Sequence, residues 1–251
     1  VQEIARIKGG IIKPETLAVS TVQRPEVRKV LEDICLEQRT EFREVRKEEL
    51  KDIRYGFENQ KFSYRTMENL KPALAGSWQI ENAALAVEAV LALADCGFPV
   101  SEQPIRKGLA KTVWPGRFMV VDRRPLFVVD GAHNRDAADR LLETLRLYFP
   151  DKRKIMIAGV LADKEYDYVM SLLTPLADRV ITVMTPDNPR ALPAEELAED
   201  IRNYNGNVEA AESLSDAVRR ARAYAGEDDL ILAFGSLSYL GDLIRRVRMM
   251  K

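Results

Sequence analysis

Histidine is almost missing from this chain. His133 is the single one among 251 residues, which rules out a histidine-rich metal centre and, with no well-placed nucleophile, argues against a Ser–His–Asp hydrolase. Cysteine is nearly as scarce. Cys35 and Cys96 fall in apolar helical patterns without metal-ligand spacing, so both are expected to be reduced, buried thiols of a cytoplasmic protein. No apolar run approaches the roughly 18 residues of a membrane span, and no signal peptide opens the chain. Neither sign of charge dominates, with 38 basic against 39 acidic residues and a formal net charge of -1. That balance gives no global pull toward nucleic acid or an anionic membrane, although a local basic patch stays open. GxxxxGK[ST], GxGxxG and HExxH motifs are absent too, and the missing GxGxxG turn weakens an NAD-binding reading. The chain also opens without methionine: "VQEIARIKGGIIKP" starts inside an amphipathic helical pattern with no cap and no preceding strand. It reads as the C-terminal portion of a longer protein.

What is present divides into two patterns. Up to about Val113 the signals are mixed. "TLAVST" (Thr16–Thr21) reads as a short strand and "PEVRKVLEDICLEQ" (Pro25–Gln38) as a helix with proline in its first turn, where a missing N–H costs little. "TEFREV", "DIRYGFE" and "QKFSYRT" alternate as strands do, with "ENQ" as a hairpin turn. Ser77–Phe98 is a long Ala-rich helix, apolar around much of its circumference and so expected to pack on two sides. A shorter helix runs from Ser101 to Ala110. "KTVWPGRF" (Lys111–Phe118) carries Pro and Gly between the two patterns, and the domain boundary is placed there, giving 1–113 and 114–251. Beyond it, "LFVVD", "KIMIAGV", "RVITVM", "NVEAA" and "DLILAF" alternate with helices beginning near Arg135, Tyr166, Pro193, Ser213 and Ser236. Such a rhythm predicts an α/β domain with a mainly parallel sheet covered on both faces.

Ligands of open α/β sheets bind beyond the carboxyl ends of the strands. That rule singles out Asp130–Asn134, Gly159–Lys164, Met184–Arg190 and Gly235–Tyr239. Asp130 ends a strand and His133 opens a helix, whose N-terminus favours an anion. A carboxylate there either accepts from ribose hydroxyls or caps the turn, and His133 is either a ligand contact or a solvated helix-start residue. Arg117 in "WPGRF" either reaches a phosphate or carboxylate or packs its stem on Trp114. Lys8, beside Gly9 and Gly10, either approaches a cofactor or is an exposed helical lysine. "ADKEYD" and "SLSYL" read as ligand loops or as simple helix caps, and Ser236 is a good N-cap in its own right.

Taken in order, "IARIKGGIIKP", "WQIENAALA", "WPGRF", "VVDGAHN", "DNPRALPAEEL" and "FGSLSYL" resemble the folylpolyglutamate synthase/dihydrofolate synthase family of the Mur ligase superfamily. The fold this implies is the remainder of a central ATPase domain followed by a Rossmann-like C-terminal glutamate ligase domain. The activity implied is ATP-dependent amide ligation: a folate or dihydropteroate carboxylate is phosphorylated to an acyl phosphate, which the amine of L-glutamate attacks. By position, Lys8 matches a lysine whose carbamate supports Mg2+, and Asn82 an asparagine on the adenine. Arg117 and Asp130 match the pair that reaches ATP phosphate and ribose across the hinge. His133 matches a histidine near nucleotide and glutamate, and Lys164 and Ser236 lie in loops matching those that hold glutamate. The implied cofactors are ATP and Mg2+. The implied partners are small molecules, not nucleic acid or membrane, and the implied setting is a cytoplasmic monomer of folate and one-carbon metabolism.

Some residues depart from the family pattern. Gly9 stands where the family usually has alanine, Trp78 where it has histidine, and Arg135 where proline is common. The phosphate loop, further Mg2+ ligands and most folate contacts are expected upstream of Val1, so this chain alone is expected to be inactive. Two other readings stay open: a Mur ligase adding an amino acid to a UDP-muramyl peptide, in some of which "DNPR" also occurs, and a nucleotide-binding module without catalysis.

Overall fold

A computed structural model describes residues 1–250, which form two compact units, the first Val1–Thr112 and the second from Val113 onward. In the first unit, helix α1 (Gln2–Gly9) precedes β1 (Leu17–Ser20), α2 (Pro25–Glu37) and β2 (Glu41–Glu44). β1 and β2 pair in parallel, Leu17 opposite Glu41, so α2 is the crossover that a parallel pair requires. Pro25 occupies the first turn of α2, as its position in the sequence predicts. A separate antiparallel sheet follows, β3 (Leu50–Arg54), β4 (Lys61–Tyr64) and β5 (Met67–Leu70), and then α3 (Gln79–Asp95) and α4 (Glu102–Lys111). Phe62, Tyr64, Met67 and Leu70 bury against Ile80, Ala83, Ala84 and Val87 of α3.

Three expectations change here. The strand read at Asp52–Glu58 starts at Leu50 and stops at Arg54. β5 was not expected, because Glu68 and Asn69 are exposed and mask the alternation. Cys35 is buried as expected, but Cys96 is exposed; it caps α3 just past its last turn, where Gly97 at φ +87° turns the chain away.

Glu88 of α3 is the buried charge of this unit, with none of its side chain exposed. It accepts from Tyr64 Oη at 2.8 Å and from Arg65 Nε at 2.8 Å, so its desolvation is offset by one cation and one hydroxyl. Arg65 keeps 27% of its side chain in solvent, which limits the value of the pair. Glu88→Gln is therefore expected to cost about 1–2 kcal/mol, read as a shift of the denaturant midpoint.

The second unit carries a six-stranded sheet in the order β10-β9-β8-β11-β7-β6. Its elements are β6 (Met119–Arg123), β7 (Leu126–Asp130), α5 (Arg135–Tyr148), β8 (Lys154–Ala158), α6 (Tyr166–Leu173), β9 (Arg179–Thr182), α7 (Ala194–Ile201), β10 (Val208–Ala210), α8 (Leu214–Tyr224), β11 (Leu230–Phe234) and α9 (Leu237–Met249). Every pairing is parallel except β6 with β7. This is the mainly parallel α/β domain that the Val/Ile/Leu-rich runs predict. β6 was not anticipated: it is an antiparallel edge strand added before the regular alternation begins, and its outer side gives it a weaker apolar signature.

Phe127, Val129, Ile155, Ile157, Ile231 and Ala233 pack with α8 and α9. The alternate residues Val128, Met156 and Leu232, also fully buried, therefore face the other side, that of α5, α6 and α7. The helix after β8 and the helix after β11 thus lie on opposite faces. Between neighbouring strands whose connections diverge in this way, a crevice opens at their carboxyl ends. Here Gly159 follows β8 and Gly235 follows β11, and the two are closely packed.

Candidate functional site at the carboxyl ends of β7, β8 and β11

Asp130 is the last residue of β7 and is 3% exposed. Its two oxygens are both engaged: Phe118 N–H donates to Oδ2 at 2.9 Å and Ala132 N–H to Oδ1 at 2.9 Å. The turn-capping role that the sequence left open is thus present, and each oxygen keeps a further lone pair for a second donor. Burial pushes the carboxyl pKa up to about 6, against the pull of the two N–H groups and the charges of Arg117 and His133.

Beside this cap the backbone is tightly bent. Gly116 lies at φ +77° and Phe118 at φ +40°, and the half-buried Arg117 sits between them. Gly131 N–H donates to Gly116 O at 2.7 Å. The neighbours of Arg117 on both sides are therefore bonded to the end of β7, one through Asp130 and the other through Gly131. "WPGRF" and "DGAHN" form one structural unit.

A third segment closes onto it. Leu237 at the start of α9 covers both glycines: a Cβ on Gly116 would meet Leu237 Cδ2 at 2.7 Å, and one on Gly131 would come closer still. Ser236 caps α9, accepting from Ser238 N–H at 3.2 Å, and is 6% exposed. Fully buried Tyr239 anchors the same turn, donating to Phe234 O at 2.6 Å, and burial raises its phenol pKa. Gly235 adopts φ +113°, and a Cβ there would lie 2.5 Å from Gly159 O.

His133 is half-buried, and its Nδ1 lies 2.8 Å from Gly131 O. A carbonyl only accepts, so Nδ1 carries a proton and donates this bond, and Nε2 is the ring nitrogen left for a further contact. Asn134 caps α5, accepting from Ala137 N–H at 2.9 Å. Lys164 is exposed in the loop between β8 and α6, with Nζ 4.0 Å from Asp163.

The second unit therefore gathers Arg117, Asp130, His133 and Ser236 at the carboxyl ends of interior strands of its sheet, with Lys164 on the loop that follows β8. Lys8 and Asn82 belong to the first unit and stand on different helices: Lys8 is exposed in the last turn of α1, and Asn82 on α3 donates to Gln79 Oε1 at 3.1 Å. Among the described residues no three His, Cys, Asp or Glu side chains cluster as metal ligands would. A carbamate on Lys8 has no such cluster to complete, so the described residues do not by themselves make a Mg2+ site. Leu237 was missed by sequence reasoning; the only signal for it was a pair of glycines in separate motifs.

Residues 116–237 match the family "Mur ligase, glutamate ligase domain". The chain is 29% identical to the dihydrofolate synthase/folylpolyglutamate synthase of Bacillus subtilis over 99% of its length, spanning 58% of that protein. It is 34% identical to the folylpolyglutamate synthase of Lacticaseibacillus casei over 74% of its length, spanning 43% of that relative. The structure of Mycobacterium tuberculosis folylpolyglutamate synthase complexed with ADP superposes with a TM-score of 0.86 at 26% identity, covering 99% of this chain and 58% of that one. By these matches residues 116–237 correspond to the glutamate ligase domain of Mur ligases, and the whole chain is similar to little more than half the length of folylpolyglutamate synthases/dihydrofolate synthases.

Proposed function

We propose that this chain serves an ATP-dependent ligase that joins L-glutamate to the carboxylate of a folate or dihydropteroate. The observation that carries the reading is the joining of "WPGRF" and "DGAHN" by hydrogen bonds and of "GSLSYL" onto them by Leu237, at the carboxyl ends of the strands within a glutamate ligase domain. In the proposed scheme residues 1–113 are part of the central ATP-binding domain and 114–251 the glutamate ligase domain. Asp130 uses its free lone pairs for ribose hydroxyls and Arg117 holds phosphate. Asn82 contacts adenine, and Lys8 serves the metal as a carbamate.

The acyl phosphate presents an electrophilic carbonyl carbon. The amine of glutamate attacks it, the C–N bond forms, phosphate leaves with its bonding pair, and the amine gives up a proton. His133, whose ring is held through Nδ1 by the Gly131 carbonyl, suits the nucleotide and glutamate end of this reaction; Lys164 and Ser236 suit the glutamate carboxylates. We place the protein in the cytoplasm as a monomer; no described helix is long and apolar enough to cross a membrane.

The test is glutamate-dependent ADP release with dihydropteroate, a folate or a UDP-muramyl peptide as acceptor. It is run on residues 1–251 and on the chain with whatever coding sequence flanks it. Residues 1–251, which contain no GxxxxGK[ST] loop, are expected to be inactive alone. The flanked chain is expected to respond to the folate or dihydropteroate. A response to the muramyl peptide alone would overturn the folate assignment, and no response to any acceptor would leave a nucleotide-binding module without catalysis.

A further inference from the structure

Arg135 opens α5 directly after His133 and Asn134, and its side chain leaves the helix toward the loop that carries Lys164. Its Nε donates to Glu165 at 3.3 Å, and its guanidinium lies 4.4 Å from the Tyr168 ring centroid. Tyr168 in turn donates from its hydroxyl to Asp139 at 2.7 Å, and Asp139 lies one helical turn beyond Arg135 on the same face of α5. The contacts run from α5 through Tyr168 and Arg135 to Glu165, the residue next to Lys164. The opposite end of the loop is held separately: Ala162 N–H donates to Arg190 O at 2.8 Å, and Arg190 pairs with Asp163 at 2.9 Å.

We infer that Arg135 is a positioning residue that fixes the Lys164 loop against the start of α5, two residues after His133, so that the groups proposed to meet glutamate share one frame. The inference about glutamate rests on the function proposed above; the restraint on the loop does not. An exposed ion pair and an exposed cation–π contact are each weak. The restraint therefore biases the loop and leaves the stability of the fold nearly untouched.

Proline is tolerated at the first helical position, where the N–H has no helical partner. Arg135→Pro thus removes the guanidinium and keeps α5. Hydrogen exchange on residues 1–251 should show peptides covering Leu161–Tyr168 exchanging about three- to tenfold faster in this variant, with peptides of β11 unchanged. Arg135→Glu should do the same, and adding Glu165→Arg should restore the slower rate. Unchanged exchange, or no restoration, overturns the restraint. In whichever form of the chain is active, Arg135→Pro should raise the KM for glutamate about three- to tenfold while kcat and nucleotide affinity hold. Faster exchange with an unmoved KM would overturn the positioning role. If no form of the chain ligates glutamate, the proposed function fails while the exchange experiment still decides the restraint.

Discussion

Asp130→Ala is expected to abolish detectable nucleotide binding and to destabilise the second unit by about 2–4 kcal/mol. Both effects have one source. The carboxylate accepts from Phe118 N–H and Ala132 N–H, and alanine would leave both donors in a buried position without partners, at about 1–3 kcal/mol each. Loss of the Phe118 bond would also release the bent segment that holds Arg117, so the proposed phosphate contact would weaken together with the ribose contact. Calorimetric titration with ADP checks the first effect, and urea unfolding the second. Nucleotide affinity unchanged in the variant would remove Asp130 from the proposed site.

The same residue sets a pH dependence. Its pKa is raised from 3.8 to about 6 in the folded chain. Between those values the folded state binds more protons than the unfolded state. The contribution is therefore fully present below about pH 4 and is lost as pH rises through 6, by up to about 3 kcal/mol. Asp130→Ala should remove this slope, which unfolding midpoints measured from pH 4 to pH 7 would show.

Gly235→Ala is expected to be the most damaging single-methyl change in the second unit. A left-handed backbone costs a non-glycine residue about 1–3 kcal/mol, and at φ +113° Gly235 is well beyond the range that asparagine or aspartate commonly reach. The added Cβ would also lie 2.5 Å from Gly159 O, and relieving that overlap means parting the ends of β8 and β11, at about 1–3 kcal/mol. A combined loss of about 3–5 kcal/mol is expected in the unfolding midpoint. By contrast, Gly241→Ala is a fair control, since a Cβ there meets nothing within 4 Å.

The parallel sheet was legible because strands buried on both faces write themselves as continuous apolar runs, "LFVVD" and "DLILAF" being the plainest. β6 and β5 were not, because an edge strand and a short strand with two solvated residues carry half that signal. Cys96 was misread for a related reason: the apolar pattern of α3 runs up to its cap, and sequence does not show where the last turn lets go. At the candidate site the polar residues could be picked out from strand ends and resemblance. The forces that hold them could not. That Asp130 bonds Phe118, that Leu237 lies on Gly116 and Gly131, and that Arg135 meets Glu165 are all contacts between segments distant in sequence, and no local pattern encodes them.

The seating of Leu237 on two glycines has a mutational side. Gly116, Gly131 and Leu237 compete for one small volume, although the first and the last stand 121 positions apart. A methyl gained at either glycine displaces the leucine, which is 47% exposed and can give way toward solvent, so the three positions are coupled through one movable side chain. A change in the "WPGRF" segment is thus felt at the start of the last helix.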